Sequence, residues 1–323
     1  EYFLGVSCTL ARDELWAKQG FEIATAQFKL PATTPALVAA ATGTKPLALA
    51  QDGETVTVTG DGFSVAFDKA SGTLSRLERG GTHILAAEGG PRLHLWRCPH
   101  RNDDMWAYNE WSRYGLDNLK REVVACTASV ANDNPAAARI DATVQLTGKN
   151  GFAATHTASY AVFGDGTIAV DNTASCQGPS IPLARIGVRM QLDKALDTLE
   201  FLGRGPVENY ADRKSGSAVG RHTVGVNDQY TYEKPMERGN HEDVRWAALT
   251  GSGKPGLLVQ ADGNRMQVAA LPHTDEQMMP HEYKIDLPPS AATVVTLGHR
   301  TTGVGSNGCG PRPLDPYIVK SVP

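Results

Sequence analysis

The sequence predicts an all-β protein, on three observations. Apolar residues recur with a period of two in run after run, which is the signature of a half-buried strand. The 33 Gly and 19 Pro, about one residue in six of the 323, fall between those runs without a period of their own. The runs themselves recur at roughly 8–15 residues, the spacing of a large sandwich of short strands. Helical signal is confined to two places: a turn or two within Trp106 to Leu119, and another over Thr274 to Met279.

Along the chain, Tyr2 to Leu10 and Ile23 to Leu30 read as two strands about a turn-like Ala11 to Gly20. Pro31 to Pro35 and the Ala-rich stretch up to Ala50 carry no pattern, so residues 34–50 read as a linker. Two strands do not stabilise themselves. Residues 1–33 are therefore expected to be the end of a small sandwich whose earlier strands lie upstream, with unpaired edges prone to association. Thr55 to Thr59, the turn Gly60-Asp61-Gly62 and Phe63 to Phe67 make a hairpin, and Asp68 to Gly72 turns the chain into a short strand, Thr73 to Leu77. Further strands are expected over Ala138–Leu146, Ala154–Phe163, Thr167–Asn172, Arg185–Leu192, Thr198–Leu202, Gly256–Ala261, Met266–Leu271 and Thr293–Leu297. No internal repeat or low-complexity tail divides residues 51–323, which read as one unit.

Composition excludes several classes. Lys plus Arg is 31 against Asp plus Glu 35, a net charge of -4, with no basic excess for nucleic acid or a membrane surface. No run approaches the ~18 apolar residues of a membrane span. The five cysteines Cys8, Cys98, Cys126, Cys176 and Cys309 are odd in number and form no CxxC pair, against a zinc site or a disulfide framework. Reduced cysteines favour the cytoplasm, with the periplasm as alternative, and the compartment stays open. Glu1-Tyr2-Phe3-Leu4 reads as the middle of a strand and not as a signal peptide, so the chain is expected to start inside a larger protein.

Familiar catalytic templates fail. Gly251-Ser252-Gly253-Lys254-Pro255 has Pro where a phosphate loop needs Ser or Thr. There is no GxSxG and no HExxH, and Cys98-Pro99-His100 lacks a second ligand pair. Two constellations stand out. Trp96 to Trp106 gathers Arg97, His100, Asn102, Asp103, Asp104 and two Trp into eleven residues. The other joins Leu202 to Arg213 with Tyr232 to Trp246. Carboxylates, amides, Arg and aromatics on loops above a sheet suit a sugar, through bonds to vicinal hydroxyls and stacking on the pyranose ring. The competing reading is a buried ion-pair network that fixes long loops, and the Gly-x-Gly-Pro turn favours it for the second constellation.

These residues carry a family resemblance. Glu1-Tyr2-Phe3-Leu4, Leu15 to Glu22 and Gln27 to Pro31 resemble the end of the fourth domain of lacZ-type β-galactosidases, glycoside hydrolase family 2. Arg97-x-Pro99-x-x-Asn102-Asp103, Gly203-x-Gly205-Pro206-x-Glu208-Asn209-Tyr210-x-Asp212-Arg213 and Pro235-x-Glu237-x-Gly239 resemble its fifth, small-chain domain. So do Arg245-Trp246 and Gly303-Val304-Gly305-Ser306 leading to Cys309-Gly310-Pro311. The resemblance implies the last strands of an immunoglobulin-like sandwich over 1–33, then a galactose mutarotase-like β-supersandwich over 51–323. It implies a retaining β-galactosidase as parent, with both catalytic glutamates on an upstream barrel and none in this chain. Arg97, Asn102, Asp103, Asp104, Trp106 and Cys309 would then rim or bind substrate. Glu208, Asn209, Tyr210, Asp212, Arg213, Glu237 and Arg245 would organise the loops. The parent would use magnesium and sodium ions; no cofactor is expected in this chain, and whether it binds a metal is left open. Expected partners are a β-galactoside, the upstream domains and further copies of the enzyme, but no nucleic acid and no membrane.

Departures narrow these expectations. Arg101 stands where the family often has Asp. Ser306 to Pro311 lacks the aromatic that stacks on the leaving group, leaving Trp106 or Trp111 as substitutes. Pro323 follows closely on the strand-like Tyr317 to Val319, so a last strand is expected to be absent. Asn109-Glu110 and Asn240-His241-Glu242 imitate an acid/base Asn-Glu pair without a barrel strand before them. Two other readings are a stand-alone carbohydrate-binding or assembly module, and a mutarotase-like epimerase pairing His100 or His241 with Glu208.

Overall fold

The period-two stretches become strands in a computed structural model that describes residues 1–31, 45–131, 137–229, 232–305 and 312–321. β1 (Phe3–Thr9) and β2 (Glu22–Lys29) form an antiparallel hairpin. A five-stranded meander follows: β3 (Ala48–Gln51), β4 (Thr55–Gly60), β5 (Phe63–Asp68), β6 (Thr73–Arg79) and β7 (Thr82–His83). Gly60 pairs with Phe63 across Asp61-Gly62, and Gly62 has φ 72°, the left-handed conformation such a tight turn demands. β3 begins at Ala48, inside the stretch read as linker, whose residues 34–44 lie outside the described residues.

After β8 (Arg92–His94) the chain makes the loop that carries the first constellation, then α1 (Tyr108–Tyr114), ended by Gly115 at φ 68°. β9 (Lys120–Ala131), β10 (Ala137–Thr147), β11 (Ala153–Phe163) and β12 (Ile168–Gln177) build a four-stranded antiparallel sheet in the order β12-β11-β10-β9. Next come β13 (Pro182–Leu183), β14 (Arg185–Asp193), β15 (Thr198–Gly205), β16 (Ala218–Gly225), β17 (His241–Val244), β18 (Trp246–Gly251), β19 (Lys254–Gln260) and β20 (Met266–Leu271). α2 (Asp275–Met278), β21 (Ala292–Thr301) and β22 (Val319–Lys320) complete the described elements. Three sheets result, ordered β17-β20-β21-β14-β8, β16-β15-β18-β19 and β13-β22.

Alternation decides which side chains are inside. On β10 the buried residues Ala138, Ile140, Ala142, Val144 and Leu146 alternate with outward ones. A core of β4, β5, β11, β15, β20 and β21 residues forms around Phe67, Tyr160 and Phe201. Another forms around the fully buried Trp111, whose indole N–H donates to the Pro182 carbonyl at 3.0 Å. Both helical signals are real: α1 lies within 106–119, and Thr274 caps α2 in a reciprocal box with Gln277. β9, β16 and β18 carry no predicted strand because Ala, Ser, Thr and Gly blur the apolar alternation.

The N-terminal hairpin is two-faced. Leu4, Val6 and Phe28 share a face that is about half exposed, while Phe3 and Gln27 lie on the other. The Gln27 amide bonds both the N–H and the carbonyl of Val219, each at 2.8 Å, and so holds the hairpin against β16.

Candidate functional site

A buried arginine lies at the centre of the loop after β8. The Arg97 guanidinium is fully enclosed and donates from Nε and Nη2 to the two oxygens of Asp103, at 2.9 and 2.8 Å. Nη1 donates to the Thr302 carbonyl at 2.6 Å, and Nη2 also reaches the Gly303 carbonyl at 3.0 Å. Burial, the largest influence, opposes its charge, yet Asp103, Glu237 and Tyr210 together lift the arginine above its usual range. The Asn102 amide donates to the Val304 carbonyl at 2.7 Å, and the Asn102 N–H donates to His100 Nδ1 at 3.2 Å. Burial, then Arg97, push His100 down to about 4, so it is neutral near pH 7.

Asp212 grips the same segment from the other side. It accepts from the N–H groups of Val304 at 3.1 Å and Gly305 at 2.8 Å. A Cβ on Gly303 would stand 2.3 Å from Asp212 Oδ2, which is why glycine occupies that position. Residues 302–305 are thus pinned by Arg97, Asn102 and Asp212 together.

The second constellation supports the first from below. Glu237 is buried, ion-pairs with Arg185, and accepts from the Tyr210 hydroxyl at 3.2 Å. Its N–H donates to the Cys98 carbonyl at 3.0 Å. Burial raises the Glu237 carboxyl, with Arg185 opposing, and burial followed by Glu237 raises Tyr210. Glu208 accepts from Arg213 at 3.1 Å, from the Gly239 N–H at 2.7 Å and from the Tyr232 hydroxyl. Burial, then Glu208, push Tyr232 up to about 12. Asn209 donates to the carbonyls of Arg204 and Val207 and accepts from the Glu242 N–H, which closes the turn after β15. Arg245 acts elsewhere. It reaches Glu1 at 2.6 Å and binds the N-terminal hairpin to the larger unit.

Residues missed by sequence reading anchor the base of the loop. Asp275 accepts from the Cys98 N–H at 2.6 Å, contacts His94 Nε2 at 2.9 Å and takes Arg189 at 3.1 Å. Burial, then Arg189, push His94 down to about 4. The capping pattern Thr274-x-x-Gln277 was the available signal, since it places Asp275 in the first turn of a helix.

The expected rim residues separate into two kinds. Arg97, Asn102 and Asp103 are buried and shape the loop from within, whereas Asp104 is exposed and Trp106 half-buried at its surface. Burial raises the Asp104 carboxyl, with Arg101 opposing from 3.7 Å. Cys309 lies outside the described residues. Of the two Asn-Glu look-alikes, Glu110 sits on α1 beside Arg113 at 3.8 Å. Glu242 is buried and accepts from Gln267 at 2.7 Å and Asn240 at 3.2 Å. Among the described residues neither His100 nor His241 bonds Glu208: His241 contacts the Arg204 carbonyl instead. Nor do three His, Cys, Asp or Glu side chains among them converge where a metal could be held.

Known families and proteins resemble this chain along its whole length. Residues 59–323 match the family model described as β-galactosidase small chain, and residues 1–31 match that of β-galactosidase domain 4. A β-galactosidase of Priestia megaterium is 30% identical over 312 residues, covering 95% of this chain and 29% of that protein. One of Kluyveromyces lactis is 26% identical over 311 residues, covering 94% and 30%. One of an Arthrobacter species is 27% identical over 338 residues, covering 96% and 31%. The chain spans about three tenths of the length of these relatives. The small-chain match takes in both constellations, the Arg97 loop and the glycine segment it holds, and on that match the chain belongs to the β-galactosidase small-chain family.

Proposed function

We propose that the chain is the part of a family 2 β-galactosidase that completes the mouth of an active site whose catalytic carboxylates lie on another part of the protein. The parent reaction is hydrolysis of terminal β-D-galactosides with retention, served by magnesium and sodium ions. Residues 51–323 would be a galactose mutarotase-like supersandwich, and residues 1–33 the end of an immunoglobulin-like domain. The parent would act as a homo-oligomer.

The observation that supports the rim role is the clamp on residues 302–305. Three side chains from two separate loops hold one short segment, at a cost in desolvation that is large for the buried Arg97. Such investment in a loop that leaves Asp104 and Trp106 at the surface suits a preorganised sugar-facing edge. The assembled parent enzyme tests it. Trp106→Ala should raise KM for an aryl β-galactoside several-fold, and Asp104→Asn should shift KM more than kcat. Unchanged kinetics in both variants would remove these residues from the rim.

A further inference from the structure

Beneath the Arg97 loop, Arg185, Glu237, His273, Asp275 and Thr296 are among the residues lining a small, mostly enclosed cavity of about 10 Å³ between β14, β20, β21 and α2. Buried atoms of its lining that lack a protein partner include Nε of Arg185 and Nδ1 of His273. The Arg185 fork spends Nη2 on Glu237, which leaves the Nε–H as an unmatched donor. His273 Nε2 is 2.7 Å from the Pro288 carbonyl. A carbonyl only accepts, so Nε2 carries the ring proton and Nδ1 is an unmatched acceptor.

We infer that this cavity binds a single water molecule, which accepts from Arg185 Nε–H and donates to His273 Nδ1. The volume matches the ~10–15 Å³ that one water needs, and these polar side chains share the lining with the apolar Ala269, Leu271, Met278 and Val294. A buried donor or acceptor left unmatched is costly, so one molecule that satisfies both relieves both penalties. The other occupants of that size fit less well. An anion would meet Arg185 and Arg238 but also Glu237, Asp275 and the Nδ1 lone pair, and a cation would meet both guanidinium groups. The second hydrogen of the water is left for a carboxylate of the lining. Glu237 and Asp275 are also the residues that hold Cys98, through its carbonyl and its N–H. The water therefore joins the two supports of the loop base.

A crystal structure of this chain at a resolution that shows internal waters tests the inference. The expected result is a density peak within hydrogen-bonding distance of both Arg185 Nε and His273 Nδ1, lost in His273→Phe. No peak there while other buried waters are visible would overturn it, as would Arg185 Nε bonded to a protein oxygen. An anomalous peak at the position after a bromide soak would overturn it in favour of an anion. Should His273→Phe not fold, the native map and the soak decide alone.

Discussion

The Arg97 guanidinium holds both carboxylate oxygens of Asp103, six residues on, and neither side chain is exposed to solvent. Such a pair is weak support for stability as a whole, because both groups lose their hydration, but breaking it from one side leaves a buried charge alone. Asp103→Asn should therefore destabilise the chain by about 3–5 kcal/mol in urea unfolding. The double variant Arg97→Met/Asp103→Leu should lose less than Asp103→Asn. A single variant within experimental error of the native chain would show that the pair does not hold the loop.

Asp212 is the other half of the clamp. Asp212→Ala leaves the N–H groups of Val304 and Gly305 without their acceptor, and should cost about 1–3 kcal/mol. Gly303→Ala should destabilise by forcing Asp212 away, and should do so much less once Asp212 is already Ala. Additive losses in that double-mutant cycle would deny the contact.

His100 and His241 are both held down to about 4, by burial first. The unfolded chain binds protons near the ordinary histidine value of ~6.5, while the folded chain resists them until about 4. Stability should then fall as pH drops through that window, by up to about 1.4 kcal/mol per pH unit for each histidine. Urea midpoints from pH 7 to pH 4.5 measure the slope. His241→Gln should flatten it; an unchanged slope would rule this histidine out as a cause.

The hairpin of residues 3–29 exposes Leu4, Val6 and Phe28 on one face while Arg245 and Gln27 tie down the other end and face. Light scattering at rising concentration should report self-association of the chain, reduced in Leu4→Lys/Phe28→Lys. A strictly monomeric native chain would mean that this face does not drive contact.

How much of this was legible in sequence depended on the kind of interaction. β4, β5, β10 and β11 were visible because bulky apolar residues alternate there, and the hairpin turn because Asp61-Gly62 has its own chemistry. β9 and β18, rich in Ala, Ser and Thr, carry no such contrast, since their place in a sheet comes from pairing with neighbouring strands. The site residues were found as a motif, but not their roles. Nothing local distinguishes Asp103, buried against Arg97, from Asp104, exposed beside it. Asp275 was overlooked because its partners His94, Cys98 and Arg189 lie far away in sequence and meet it only in the folded sheet.

The most direct test of the central claim is the turnover of a chromogenic β-galactoside by the purified chain with magnesium and sodium present. A retaining glycosidase needs two carboxyls about 5–5.5 Å apart flanking the anomeric carbon. In this account they belong to another part of the parent. The chain alone should show no turnover above background, and adding it to a parent enzyme that lacks this region should restore activity. Turnover by the isolated chain that disappears in Glu110→Gln or Glu242→Gln would contradict the account and make one of those residues the acid/base.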